Sequence, residues 1–175
     1  MRIPTDLKKL TKLFDKLGAP NPESWARSQI EEGFNQLHRF LFLREAWKGV
    51  VSESDETWID AHIQASKKRP TAPYSGMGQA LSRMLEKNVD PKDIIDLVRG
   101  AQVSTLFDIC YLLDGVEFDE PELEELGWAL AEVTTNEDDE FVFNGNVIDA
   151  LHESVLSLDP TGREMRPRTH AAGTD

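Results

Sequence analysis

A single cysteine among 175 residues, Cys110, excludes any intrachain disulfide, so this chain must fold without covalent staples. Cys110 sits in the apolar run Leu106-Phe107-Asp108-Ile109-Cys110-Tyr111-Leu112-Leu113, a context that predicts a buried, inert thiol and not a nucleophile. Long apolar stretches are also missing. The most apolar one, from Phe40 to Leu43 and on to Trp47, is broken by Arg44 and Glu45 and bounded by Arg39 and Lys48, far short of a membrane span. Behind the basic start, Met1 to Lys9, no apolar segment of signal-peptide length follows. A cytoplasmic protein with no membrane partner is therefore expected.

Familiar chemical motifs are absent as well. Gly76-Met77-Gly78 lacks the third glycine and the lysine of phosphate-binding loops, and no Gly-x-Ser-x-Gly elbow occurs. His152-Glu153 begins like a zinc-protease helix, but Leu156 stands where the second histidine must lie on the same face. His38, His62 and His170 have no ligand spacing. Asn136 to Glu140 is rich in oxygen donors but lacks the alternating ligands, central glycine and terminal glutamate of a helix-loop-helix calcium site. Neither a metal nor a cofactor is expected, and a non-catalytic role is favoured over an enzymatic one.

What the sequence does have is acid in one place. Residues 1–100 hold 16 Lys plus Arg against 14 Asp plus Glu, whereas residues 101–175 hold 3 against 18, so the two parts carry +2 and −15. No lysine or arginine lies between Arg99 and Arg163. The acids there include Glu117, Asp119, Glu120, Glu122, Glu124, Glu125, Glu137, Asp138, Asp139 and Glu140. Uncompensated like charge opposes folding by self-repulsion, so such a region points to a basic partner. Two duller readings compete with this one. The acids are a solvated surface, or Lys8, Lys12 and Lys16, a stripe on one face of the first helix, supply internal counter-ions. Direct nucleic-acid binding is disfavoured, because phosphate contact needs a clustered positive face and the net charge is −13.

Periodicity predicts a mainly α fold, an irregular bundle of about six helices with one small β-hairpin near 128–143. The first helix spans about 5–17 and stops at Gly18. Asn21-Pro22-Glu23 opens a long central helix through Trp25, Ile30, Phe34, Leu37, Leu41 and Trp47. A third starts at Ser54 to Thr57 and ends in Lys67-Lys68-Arg69; residues 70–76 form a linker. After a short helix to Asn88, Asp90-Pro91 caps a run through Ile94, Leu97, Phe107 and Leu113, expected to form the core and to divide at Gly100. Around the polar turn 134–140, Trp128-Leu130 and Phe141-Val142-Phe143 read as strands. Asn146 is expected to cap a last helix bearing Ile148, Leu151 and Val155, closed by Asp159 to Gly162. The chain reads as a single domain over 1–162 with a loose tail, 163–175.

Leu151-His152-Glu153-Ser154-Val155-Leu156 with Asp159-Pro160-Thr161-Gly162-Arg163-Glu164-Met165-Arg166-Pro167, Asp90 to Gly100, Tyr111-Leu112-Leu113-Asp114 and Gly127-Trp128 resemble segments of a group of small uncharacterised bacterial proteins. The resemblance covers roughly 75–167. It implies a bacterial origin and a folded strip at 163–167, and brings no activity with it. The expected function is a non-catalytic acidic module that binds a basic protein, in its narrowest form an immunity-type inhibitor of a basic toxin or nucleic-acid-binding protein. The alternative is an enzyme whose pocket gathers Trp128, His152, Glu153 and Arg163, a base, an acid and an anion-holding group.

Overall fold

A computed structural model describes residues 3–115, 119–123 and 125–168. It is mainly α with one small antiparallel hairpin, the class that the periodicity predicts. The chain divides into two compact units, Met1–Gly49 with Thr105–Asp175, and Val50–Ser104.

In the first unit, α1 (Leu7–Lys16) is capped by Asp6, whose carboxylate accepts from the Lys9 N–H at 3.0 Å. It ends before Gly18, which adopts a φ of 82° that suits glycine. The long central helix is in fact two helices, α2 (Pro22–Glu31) and α3 (Gln36–Trp47). The break falls at Gly33, at φ 79°, a left-handed residue that ends a helix even though the apolar spacing runs on through Phe34 to Leu37. The interior of this unit is aromatic. Phe14 stacks on Trp25 with centroids 6.2 Å apart, and Phe40 meets both rings edge-on. Leu37, Phe40, Leu43 and Trp47 of α3 are all buried, and the Trp47 indole N–H donates to the Val155 carbonyl at 2.9 Å.

The second unit pairs α4 (Thr57–Lys68) with α5 (Ser75–Glu86) around Ile59, Ile63 and Leu81, joined by Ile94 and Ile95 of α6 (Pro91–Leu113). Gly78 permits the α4–α5 approach, since a Cβ there would stand 2.2 Å from the His62 carbonyl oxygen. Asp90 and Pro91 open α6 as expected, the Asp90 carboxylate accepting from the Lys92 N–H at 2.9 Å. Gly100 does not split this helix; an internal glycine costs only about 1 kcal/mol, which 23 residues of helix absorb.

Beyond Ser104, α6 belongs to the first unit. There Cys110 is buried, and desolvation, with the nearby Asp114 charge, pushes its thiol up to about 11, which makes it inert. Phe107 is 38% exposed, contrary to its expected place in the core, although it shares a helix face with the buried Val103 and Cys110. The hairpin comprises β1 (Leu130–Thr135) and β2 (Phe141–Ile148). Asn146 and Ile148 therefore belong to a strand and not to the start of a helix. The helix that follows, α7 (Leu151–Ser154), is a single turn entered through Ala150 at φ 51°. Within the expected tail, residues 163–168 are described, and their start is tied to buried Asp159. Its carboxylate accepts from the Thr161 N–H (3.0 Å), the Thr161 hydroxyl (2.7 Å) and the Met165 N–H (3.0 Å).

Candidate protein-binding surface

One side chain builds the hairpin turn. Asn136 Oδ1 accepts from the backbone N–H of Asp138 (3.0 Å) and of Glu140 (2.9 Å), and the Asn136 N–H donates to the Glu140 carbonyl (3.0 Å). Glu137, Asp138 and Asp139 form the loop between them, with Asp139 left-handed at φ 60°. A three-residue loop closed by a left-handed residue is a common hairpin geometry, and Asp tolerates that conformation better than most side chains. The consequence is a tight turn whose carboxylates are exposed.

Register then sorts the strands. Val133 lies opposite Phe143, Thr135 opposite Phe141 and Ala131 opposite Val147. Directly opposed residues share a face, so these six make one surface of the hairpin. Phe141 is 79% exposed, Phe143 57%, and Val133 and Val147 nearly half. A two-stranded hairpin in water is marginal on its own, and covering an apolar face is the usual remedy. Here the face that carries both phenylalanines stays open.

The other face is fastened at its base. Between Ala131 and Val133 the register shifts, and β2 accommodates the extra residues around Gly145, at φ 92°. This irregularity brings the Asn146 amide to Glu132, at 3.0 Å, while the other Glu132 oxygen lies 3.4 Å from His38 Nε2 of α3. Burial works to raise the Glu132 carboxyl, but hydrogen bonds from Asn146 and Asn144 and the His38 charge outweigh it and hold the group below its ordinary value. Alongside, Asn35 donates to the Val147 carbonyl at 3.1 Å, and the buried Arg39 guanidinium donates to the Asp149 carbonyl at 2.9 Å. Strong anchoring below and bare apolar surface above set this element apart.

Of the acids expected to form an interface, Glu137, Asp138, Asp139 and Glu140 stand at the hairpin tip. Asp119, Glu120, Glu122 and Glu125 are exposed in and around the 3-10 turn Pro121–Leu123. Glu117 and Glu124 lie outside the described residues, as does His170. Among the described residues, none of the other eight acids pairs with a lysine or arginine, nor do Lys8, Lys12 and Lys16 pair with any acid. The proposed counter-ion stripe on α1 thus makes no ion pairs.

The four residues of the enzymatic alternative are held by different segments. His152 Nδ1 lies 2.5 Å from Asp114 Oδ2, and its ring meets Tyr111 and Phe107 edge-on. Asp114 also accepts from the Leu151 and His152 N–H groups, so it ties the end of α6 to α7. Trp128 Nε1 donates to the Leu112 carbonyl at 2.6 Å. Arg163 Nε donates to the Arg166 carbonyl within the C-terminal strip, and Glu153 is exposed. A carboxylate on Nδ1 orients an imidazole as in acid–base catalysis, but among the described residues no nucleophile pairs with Nε2. Sequence reasoning missed the open apolar face, because Phe141 and Phe143 in a β-prone run read equally well as core.

Compared with protein-family models, curated proteins and solved structures, the chain matches none.

Proposed function

We propose that this chain is a non-catalytic binding module whose hairpin receives a partner surface that is basic at one end and apolar beside it. The observation that carries the reading is the open face of Val133, Phe141, Phe143 and Val147, which adjoins a turn of carboxylates without cationic partners. Apolar contact supplies affinity by removing this face from water, and the carboxylates supply orientation and encounter rate. A second copy of the chain is a poor occupant, since it would set acid against acid. A basic toxin or a nucleic-acid-binding protein, neutralised by this chain, is the narrowest form of the proposal.

The test is capture from cell lysate on the immobilised chain at low and high salt, run beside two variants. Phe141→Ser with Phe143→Ser should shorten the residence time of the captured protein. Glu137→Gln, Asp138→Asn, Asp139→Asn and Glu140→Gln together should slow its association and flatten the salt dependence. If both variants retain the parent's partners with the same kinetics and salt dependence, the hairpin is not the interface.

A further inference from the structure

Beyond the hairpin, the first unit holds a groove of about 500 Å³ between α2, the start of α3 and the C-terminal strip, a volume typical of small-ligand sites. Its lining is unusual in kind. Ser24, Ser28, Ser154 and Ser157 supply hydroxyls, Asn21 and Gln36 supply amides, and the half-buried Trp25 supplies one aromatic wall. Trp25 is held by Phe14 and Phe40, so the wall is rigid.

Gln36 carries the inference. It is only 7% exposed, and its Nε2 donates to Ser28 Oγ at 2.8 Å, while Ser28 Oγ in turn donates to Glu32 Oε2 at 3.0 Å. This relay fixes the amide and leaves its Oε1 without a hydrogen-bond partner. A buried acceptor with no donor is uncommon and costs stability, so it calls for a donor from outside the chain. The donor's character follows from the lining. No lysine, arginine or histidine lines the groove among the described residues, which disfavours an anion. Of the two carboxylates there, Glu164 is paired with Arg166 at 2.7 Å, and Glu32, which accepts from the Ser28 hydroxyl, is the one uncompensated charge, among the described residues, of a lining otherwise made of neutral groups. Paired hydroxyls and amides around one aromatic wall instead complement a neutral molecule whose own hydroxyls both donate and accept.

We infer that the groove is a binding site for a small neutral polyhydroxyl ligand, of the monosaccharide or sugar-alcohol class. The site shares no residue with the hairpin, so the two proposals stand or fall separately.

The test is nuclear magnetic resonance on the isotope-labelled full chain, titrated with glucose, with sorbitol and, as contrast, with putrescine and acetate. Glucose or sorbitol should shift the Trp25 indole and Gln36 amide signals saturably, and leave the amides of Phe141 and Phe143 in place. Ser24→Ala and Gln36→Met should each weaken that binding about five- to tenfold, the loss expected for one hydrogen bond. Should Gln36→Met unfold the unit, Ser24→Ala and Ser157→Ala, both exposed positions, decide the matter. The inference is overturned if no neutral probe saturates the two signals, which would leave ordered water as the donor to Gln36. It is equally overturned if putrescine or acetate alone moves them, or if the exposed-site variants bind glucose and sorbitol like the parent.

Discussion

Helix α3 and strand β2 both carry large apolar side chains at close intervals, yet they use them in opposite ways. In α3, Leu37, Phe40, Leu43 and Trp47 are all buried, whereas in β2 only Ile148 is buried and Phe141, Val142, Phe143 and Val147 are exposed. The two elements touch, because Asn35, just before α3, and His38 and Arg39 within it grip the base of the hairpin. Apolar residues in one element therefore hold the fold, and in its neighbour they are held out by it. Buried and exposed apolar side chains are thus sorted by element within this unit, which makes the contrast open to attack by mutation.

The largest difference should come from matched truncations. Phe40 is 1% exposed and meets both Phe14 and Trp25, so Phe40→Ala should cost about 3–5 kcal/mol in a urea denaturation. Phe143→Ala should cost well under 1 kcal/mol by the same measurement, since little of its ring leaves water on folding. Equal losses would end the distinction between the two elements. Phe107→Ala, partly exposed, should fall between them.

The next effect lies in the grip itself. Arg39→Met keeps the apolar stem but removes the charge-assisted hydrogen bond to the Asp149 carbonyl, for a loss of about 2 kcal/mol. Hydrogen exchange should then quicken across β1 and β2 and leave α1 and α3 protected. Exchange that accelerates evenly through the whole unit would mean that the hairpin is part of the core and not an appendage.

Much of this arrangement was legible in the sequence, and the exceptions have physical causes. The start of α6 followed from Asp90-Pro91, the end of α1 from Gly18, and the hairpin from β-prone runs around a polar turn. The break between α2 and α3 was hidden because Phe34 and Leu37 continue the helical spacing across Gly33, whose backbone alone departs from it. Asn146 has the chemistry of a helix cap but serves the irregular register beside Gly145. The acid was plain from composition, while its neighbouring apolar face was not, since exposure cannot be read from residue type. The groove was out of reach altogether, because Gln36 and Ser157 are brought together only by the fold.

A smaller effect concerns pH. The Glu132 carboxyl is held below its ordinary value in the folded chain, so its contribution is present above the ordinary carboxylate range and is lost as pH falls through the folded value. Acidification should therefore loosen the hairpin before α3, seen as earlier exchange broadening of β1 and β2 signals. Glu132→Gln should abolish that early step. If hairpin and helix melt together in both proteins, the Glu132–His38 contact is not what fastens the hairpin.

The smallest effect on stability should accompany the largest effect on recognition. Glu137, Asp138, Asp139 and Glu140 repel one another on a tight turn and have no cationic partner among the described residues; the one printed contact of their carboxylates is the Asn136 amide donating to Glu140 Oε2 at 3.2 Å, which a glutamine at that position can still accept. The turn is built by Asn136, whose side-chain oxygen holds the backbone N–H groups of Asp138 and Glu140. Neutralising the four acids as amides should thus change unfolding free energy by no more than about half a kcal/mol, with relief of repulsion favouring a slight gain. Asn136→Ala, one atom group away and uncharged, should instead cost about 1–2 kcal/mol, because it strips the turn of both contacts. Acids that can be neutralised without loss of stability are what the proposed basic partner requires of this turn. If the neutralised chain proves substantially less stable than the parent, those carboxylates serve the fold after all, and the case for a basic partner loses its footing.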